Sequence, residues 1–113
     1  MKIAESVKDN VSRVYLEGRF DAHTCEIVDA YIREKIENGQ HQFVLNMERV
    51  PFVDSAGLRV ILVMARDLRG EYQGDLRVAI LQPAVNRVFE ISGLNNVLRI
   101  FDDAETAAQS FSE

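Results

Sequence analysis

Hydrophobic and polar positions along the chain follow two alternating periods. Ile3 to Val7 and Val11 to Glu17 read as short β-type runs flanking the turn-forming cluster Lys8-Asp9-Asn10, which predicts an antiparallel hairpin. Gly18 and Asp21 then mark a loop. From about His23 to Asn38 the apolar positions Ile27, Val28, Tyr31, Ile32 and Ile36 recur at helical spacing. Gly39 follows where a left-handed residue is expected to end the helix. Phe43 to Met47 is an almost continuous apolar run, as a strand covered on both faces requires. A second helix is predicted from about Ser55 to Arg69, ending near Gly70, and Leu76 to Leu81 reads as a further strand. Pro83 opens a third helix where its missing N–H costs nothing; Val85, Val88 and Phe89 form the inner face. Gly93 stops that helix, with Leu94 placed for the hydrophobic contact of a Schellman ending. A short strand around Val97 to Ile100 and a last helix from about Asp103 to Phe111 complete the pattern. Strands alternating with helices imply βα crossovers and parallel pairing in the later half, so the reading is a small α/β domain with a mixed sheet.

Composition narrows the class. At 113 residues the chain fits one domain spanning 1–113, and 47% hydrophobic with 27% charged residues is an ordinary globular mixture. Such a chain can bury a core without metals or disulfide staples. Cys25 is the only cysteine, so neither an internal disulfide nor a cysteine-based zinc site is expected. The formal charge of −5 has the wrong sign for gripping a polyphosphate backbone, which argues against direct nucleic-acid binding. The longest apolar stretch, Val60 to Ala65, is far short of the ~20 residues of a membrane helix. The N-terminal segment also lacks the apolar core of a signal peptide. A soluble, cytoplasmic protein without a membrane span is expected.

The segment that carries more than fold is Val50-Pro51-Phe52-Val53-Asp54-Ser55-Ala56-Gly57-Leu58, where a strand gives way to a helix. Asp54 or Ser55 suits the N-cap, because a side-chain oxygen there accepts from the unpaired first-turn N–H groups. Gly57 sits in that first turn at a helix-propensity cost of about 1 kcal/mol against alanine, so something approaches the backbone closely there. The bland reading makes Ser55 a cap and Gly57 an aid to packing. Downstream, Leu58, Ile61, Leu62, Ala65 and Leu68 supply an inward stripe, while Val60, Val63 and Met64 point elsewhere. A helix apolar nearly all round is deeply buried or presents a second apolar face to a partner. A phosphate on Ser55 would add about −1.5 to −2 charges at a helix N-terminus that tolerates them. A partner docked there would face the desolvation of a dianion beside Asp54, which suits the segment to a binding switch.

Enzyme readings find less support. Asp21, His23 and Ser55 are the residue types of a hydrolase triad, but Val53 replaces the first glycine of the G-x-S-x-G elbow and only Gly57 matches. His41 lies in the polar stretch Gly39-Gln40-His41-Gln42 and is expected to be solvent exposed, and Cys25 to fill a small buried space. No phosphate-binding loop or dinucleotide fingerprint occurs, and no cofactor or metal is expected. Asp102, Asp103 and Glu105 open the last helix in keeping with its dipole.

Four segments together resemble a known family. They are Gly18-Arg19-Phe20-Asp21-Ala22-His23-Thr24, then Phe43-Val44-Leu45-Asn46-Met47, then Phe52-Val53-Asp54-Ser55-Ala56-Gly57-Leu58, then Pro83-Ala84-Val85 with Phe89-Glu90-Ile91-Ser92-Gly93-Leu94. Their order and spacing are similar to the bacterial anti-sigma-factor antagonists of the STAS-domain family across nearly the whole chain. The resemblance implies a STAS fold: a mixed sheet of four to five strands with about four helices packed mainly on one face. It also implies a non-catalytic partner switch without cofactor. The unphosphorylated form would bind an anti-sigma factor that is also a GHKL-type serine kinase, phosphorylation would turn it off, and a PP2C-type phosphatase would reset it. The matching phosphoacceptor is Ser55, Asp54 fits the preceding acid, and Asp21 fits the loop acid near the docking surface. His23, Thr24, Ala56, Gly57, Leu58, Val60, Ser92 and Gly93 complete the expected partner-binding set. Ala56 departs from the family in lacking the second hydroxyl that many members carry. Two other readings stand beside this one: a constitutive adaptor in a stress-signalling or lipid-transport assembly, and a small serine hydrolase.

Overall fold

The computed structural model describes residues 1–113. Strands β1 (Lys2–Lys8) and β2 (Val11–Glu17) pair antiparallel from Lys2–Glu17 to Lys8–Val11. Asp9 and Asn10 between them have φ of 53° and 64°, the left-handed pair of a two-residue turn that short polar side chains tolerate. Alternation along β2 sends Val14 and Leu16 into the core and leaves Tyr15 exposed on the other face.

Helix α1 (Cys25–Glu37) buries Val28, Ile32 and Ile36, while Ile27 from the expected stripe stays exposed. The helix starts two residues after His23, because Asp21 to Thr24 is spent on a turn in which Asp21 carbonyl oxygen accepts from Thr24 N at 3.1 Å. Strand β3 (Gln42–Arg49) is covered on both faces: Phe43, Leu45 and Met47 point to one side and Val44 to the other. Helix α2 (Ser55–Glu71) follows, then β4 (Asp75–Ala79). The expected run to Leu81 is cut short by Ile80, whose φ of 60° turns the chain out of the sheet. Helix α3 (Pro83–Ser92) begins at its proline and ends at Gly93, φ 80°, with Leu94 buried as expected.

The expected strand from Val97 to Ile100 is corrected. A single 3-10 turn at Leu94–Asn96 comes first, Val97 is exposed, and Leu98 plugs the core from a loop. Only β5 (Ile100–Phe101) pairs, alongside Val78 and Ala79 of β4. Helix α4 (Ala104–Gln109) is capped by Asp103, and a 3-10 turn at Ser110–Ser112 closes the chain.

The sheet order is β1-β2-β3-β4-β5, antiparallel at β1–β2 and parallel elsewhere. Val28 and Ile32 of α1, Ile61 and Met64 of α2, and Val85 and Phe89 of α3 join one apolar cluster with Val14, Leu45 and Val78. A smaller cluster on the other face joins Ala107 and Ala108 of α4 to Val11, Val44 and Ala79. Three helices therefore cover one face and one helix part of the other. In a parallel arrangement the loops after β2 and β3 emerge at the same edge, which is where the serine motif lies.

Candidate functional site

The two loops at this edge are laced together through their backbones. Gly18 N donates to Arg49 O at 3.0 Å, Phe20 N to Phe52 O at 2.9 Å, and Asp54 N to Phe20 O at 3.2 Å. An isolated parallel bridge between Phe20 and Val53 extends the pairing past the register shift in β2. The Phe20 and Val53 side chains are buried beneath, Phe20 contributing about 1.5–3 kcal/mol by burial alone.

Asp54 does two jobs with one carboxylate. Its backbone is extended, φ −105° and ψ −174°, and Oδ1 accepts from Ala56 N at 2.9 Å and Gly57 N at 3.1 Å. Oδ2 accepts from Ala22 N at 3.2 Å, pinning the neighbouring loop to the helix start. Asp54 is therefore the N-cap that the sequence left open between Asp54 and Ser55. Ser55 is the first helical residue, exposed, and its hydroxyl has no hydrogen-bond partner in the chain. The close approach expected at Gly57 is made by the protein itself: a Cβ there would lie 2.5 Å from Phe20 O and 2.9 Å from its ring.

Around Asp21 the loop is built from short polar contacts. His23 N donates to Asp21 Oδ1 at 3.0 Å, and Arg19 Nε reaches Oδ2 at 3.4 Å. The Thr24 hydroxyl donates to Arg19 O at 2.7 Å while accepting from Asp21 N at 3.0 Å. Burial works to raise the Asp21 carboxyl, but the bonds from His23 N–H and Arg19, the electrostatic attraction of His23 and the bond to Thr24 outweigh it and hold the group below its ordinary value. The Arg19 guanidinium also stacks on the half-exposed Phe52 ring at 4.0 Å, an arrangement that places one cation and one aromatic face at the edge.

Of the residues expected at a docking surface, Asp21, His23, Thr24, Asp54, Ser55 and Ala56 are gathered here with at least part of their surface open. Gly57 and Leu58 are buried, and Val60 is half-buried against the core. No hydrogen bond ties Ser92 or Gly93 to these loops. Gln82, before α3, donates to Glu48 O at 2.8 Å near the end of β3, and ten helical residues carry the chain about 15 Å from there. Ser92 Oγ is engaged locally, donating to Phe89 O at 3.1 Å. Arg19, Phe52 and the Ala22 N–H were not among the expected site residues, although the R-x-D spacing of Arg19 and Asp21 carries a readable signal for the first.

The hydrolase trio is not assembled. Asp21 accepts a hydrogen bond from the His23 backbone and none from its ring, and neither that ring nor the Ser55 hydroxyl has a hydrogen-bond partner. His41, expected in solvent, is half-buried and stacks on Tyr72 with ring centres 4.7 Å apart. Cys25 is partly buried against the main core.

A five-stranded mixed sheet, three helices on one face and a capped serine loop at the carboxyl edge define a class, and the chain belongs to it: residues 2–107 match the family model of the STAS domain. The chain is 33% identical over 111 residues to BtrV of Bordetella bronchiseptica, provisionally named an anti-sigma factor antagonist, covering 98% of this chain and 95% of that protein. It is 34% identical over 95 residues to the anti-sigma F factor antagonist of Paenibacillus polymyxa, covering 83% and 80%. Among solved structures, the unphosphorylated form of the anti-sigma factor antagonist SpoIIAA superposes with a TM-score of 0.82 at 25% identity, covering 98% of this chain and 96% of that one. The phosphorylated form of SpoIIAA, a Bacillus cell fate determinant, gives 0.74 at 26% identity, covering 99% and 100%. No helix is long and apolar enough to cross a membrane.

Proposed function

We propose that this chain is an anti-sigma factor antagonist, a non-catalytic protein that binds an anti-sigma factor through the edge formed by Asp21, His23, Thr24, Ser55 and Ala56. Phosphorylation of Ser55 switches it off. The observation that carries the reading is the division of labour at the start of α2: Asp54 satisfies the helix N–H groups, leaving an exposed hydroxyl with no structural duty. The names of its relatives agree with this role. The kinase is a GHKL-type anti-sigma factor. It transfers the γ-phosphoryl of ATP to Ser55 Oγ, releasing ADP and the hydroxyl proton, and a PP2C-type phosphatase hydrolyses the ester. The added dianion sits next to Asp54, whose carboxylate also holds the loop that carries Asp21, and a docking partner would have to desolvate it there.

Phosphosite mass spectrometry on protein from its native host, combined with binding of a kinase-like anti-sigma factor to variants, tests this. Ser55→Asp is expected to weaken binding by about a thousandfold while lowering the melting temperature by no more than about 4 °C. Ser55→Ala should bind as wild type, escape inactivation, and change stability by less than about 0.5 kcal/mol, since Asp54 is the cap. Equal affinity of wild type and Ser55→Asp, or no phosphate on Ser55 in cells, would overturn the proposal.

A further inference from the structure

The helix that presents Ser55 carries an uncommitted cation one turn further on. Arg59 is exposed and enters no ion pair, hydrogen bond or ring contact. It stands four residues after Ser55 in the same unbroken helix. Residues four apart on a helix are surface neighbours, and each Cα–Cβ bond tilts toward the N-terminus, so the Arg59 side chain leans over the turn that holds Ser55.

Other sources of compensation for a phosphate on Ser55 are already in use. The N–H groups of Ala56 and Gly57 donate to Asp54 Oδ1, and Leu58 N donates to Asp54 O at 3.0 Å, so most first-turn donors are engaged. The Asp54 carboxylate adds a negative charge next door. Of the other cations at this edge, Arg19 is committed to Asp21 at 3.4 Å and to the Phe52 ring at 4.0 Å, and Arg49 pairs with Glu17 at 3.6 Å. Arg59 is left with a planar fork that matches phosphate oxygens and with nothing else to bind.

We propose that Arg59 is the internal counter-ion of phosphorylated Ser55, folding the phosphate back along the outer stripe of α2. The inference rests on the phosphorylation of Ser55 proposed above. Arg59 acts as a positioning residue: it fixes where on the docking edge the dianion is held, and its own charge is withdrawn from any partner at the same moment. Modification then changes the edge twice, adding two negative charges and occupying a positive one.

The test installs phosphoserine at position 55 during translation, so that it does not depend on the kinase, and follows the phosphate by phosphorus NMR in the whole chain as pH is varied. Pairing with a cation stabilises the dianion, so the second ionisation of the wild type should have a midpoint about 0.15–0.4 pH unit below that of Arg59→Gln. Arg59→Lys, which keeps the charge without the fork, should fall between them, and the spread should shrink in about 1 M salt. Coincident midpoints in all three proteins, or a spread indifferent to salt, would overturn the pairing. The two proposals fail separately. Coincident midpoints leave the switch at Ser55 intact, whereas an unmodified Ser55 in cells removes the switch and leaves the titration as measured.

Discussion

At Gly57 a single hydrogen atom in place of a methyl group decides whether the edge can form. An alanine Cβ would stand 2.5 Å from the Phe20 carbonyl oxygen, a backbone atom that also accepts from Asp54 N and so cannot withdraw alone. Gly57→Ala should therefore destabilise by about 1–3 kcal/mol, although alanine gains about 1 kcal/mol in helix propensity. Gly70 in the same helix has nothing within 4 Å of such a Cβ, and Gly70→Ala should stabilise by about 0.5–1 kcal/mol. Denaturant midpoints of both variants decide the matter; a neutral Gly57→Ala would show that Phe20 can move aside. The sequence made the anomaly visible, because a glycine in a first helical turn runs against propensity. It could not say whose atoms approach it, since Phe20 lies 37 residues earlier and reaches the helix only through tertiary pairing.

The same contact explains how α2 is oriented as an element. With Gly57 seated on Phe20, the inward face takes in Leu58, Ile61, Ala65 and Leu68 as the apolar pattern predicts, while Met64 is buried and Leu62 is left at the flank. Leu62, Val60 and Val63 are half-buried on the flanks, so the apolar girth of α2 is largely spent inside the molecule rather than on an open second face. Periodicity alone could not separate these settings, because a helix apolar on most sides fits more than one rotation. What orients the element also caps it: Asp54 holds two first-turn N–H groups and the Ala22 N–H of the neighbouring loop. Asp54→Ala should cost about 1–2 kcal/mol and strip hydrogen-exchange protection from the Ala22, Ala56 and Gly57 amides together. Asp54→Asn keeps an accepting oxygen and should recover most of that stability. If the asparagine variant were as unstable as the alanine one, or if Ala22 kept its protection in Asp54→Ala, the shared-carboxylate account would fail.

Across the whole molecule, alternation of periods was enough to read the hairpin and the parallel later half, because each strand from β2 to β4 is long enough to show its pattern. The last third was harder to read. Ile80 leaves β4 at φ 60° without a glycine to announce it, and Leu98 serves the core from a loop in a run that resembles a strand. The second face depends on α4, six residues long, which joins the sheet through Ala107 and Ala108 and through an Arg13–Glu105 ion pair of 2.9 Å. So small an apolar contact leaves the cap of α4 with more influence than its size suggests. The Asp103 carboxylate accepts from Thr106 N at 2.7 Å and from the Thr106 hydroxyl at 3.0 Å, and these bonds hold it below its ordinary value. Asp21, in the loop after β2, is held down as well, its hydrogen bonds outweighing its burial. A carboxylate lowered in the folded state binds fewer protons there than in the unfolded chain, so stability rises with pH across the interval between the two values. The contribution is complete above the unfolded value of about 3.9 and is lost as pH falls through the folded one. Denaturant midpoints should therefore decline below about pH 4, where Asp103→Asn and Asp21→Asn should each flatten the decline. No hydrogen bond or ion pair links the two carboxylates, so the double variant should flatten it by the sum. An acid limb as steep in the double variant as in the wild type would place the protons elsewhere.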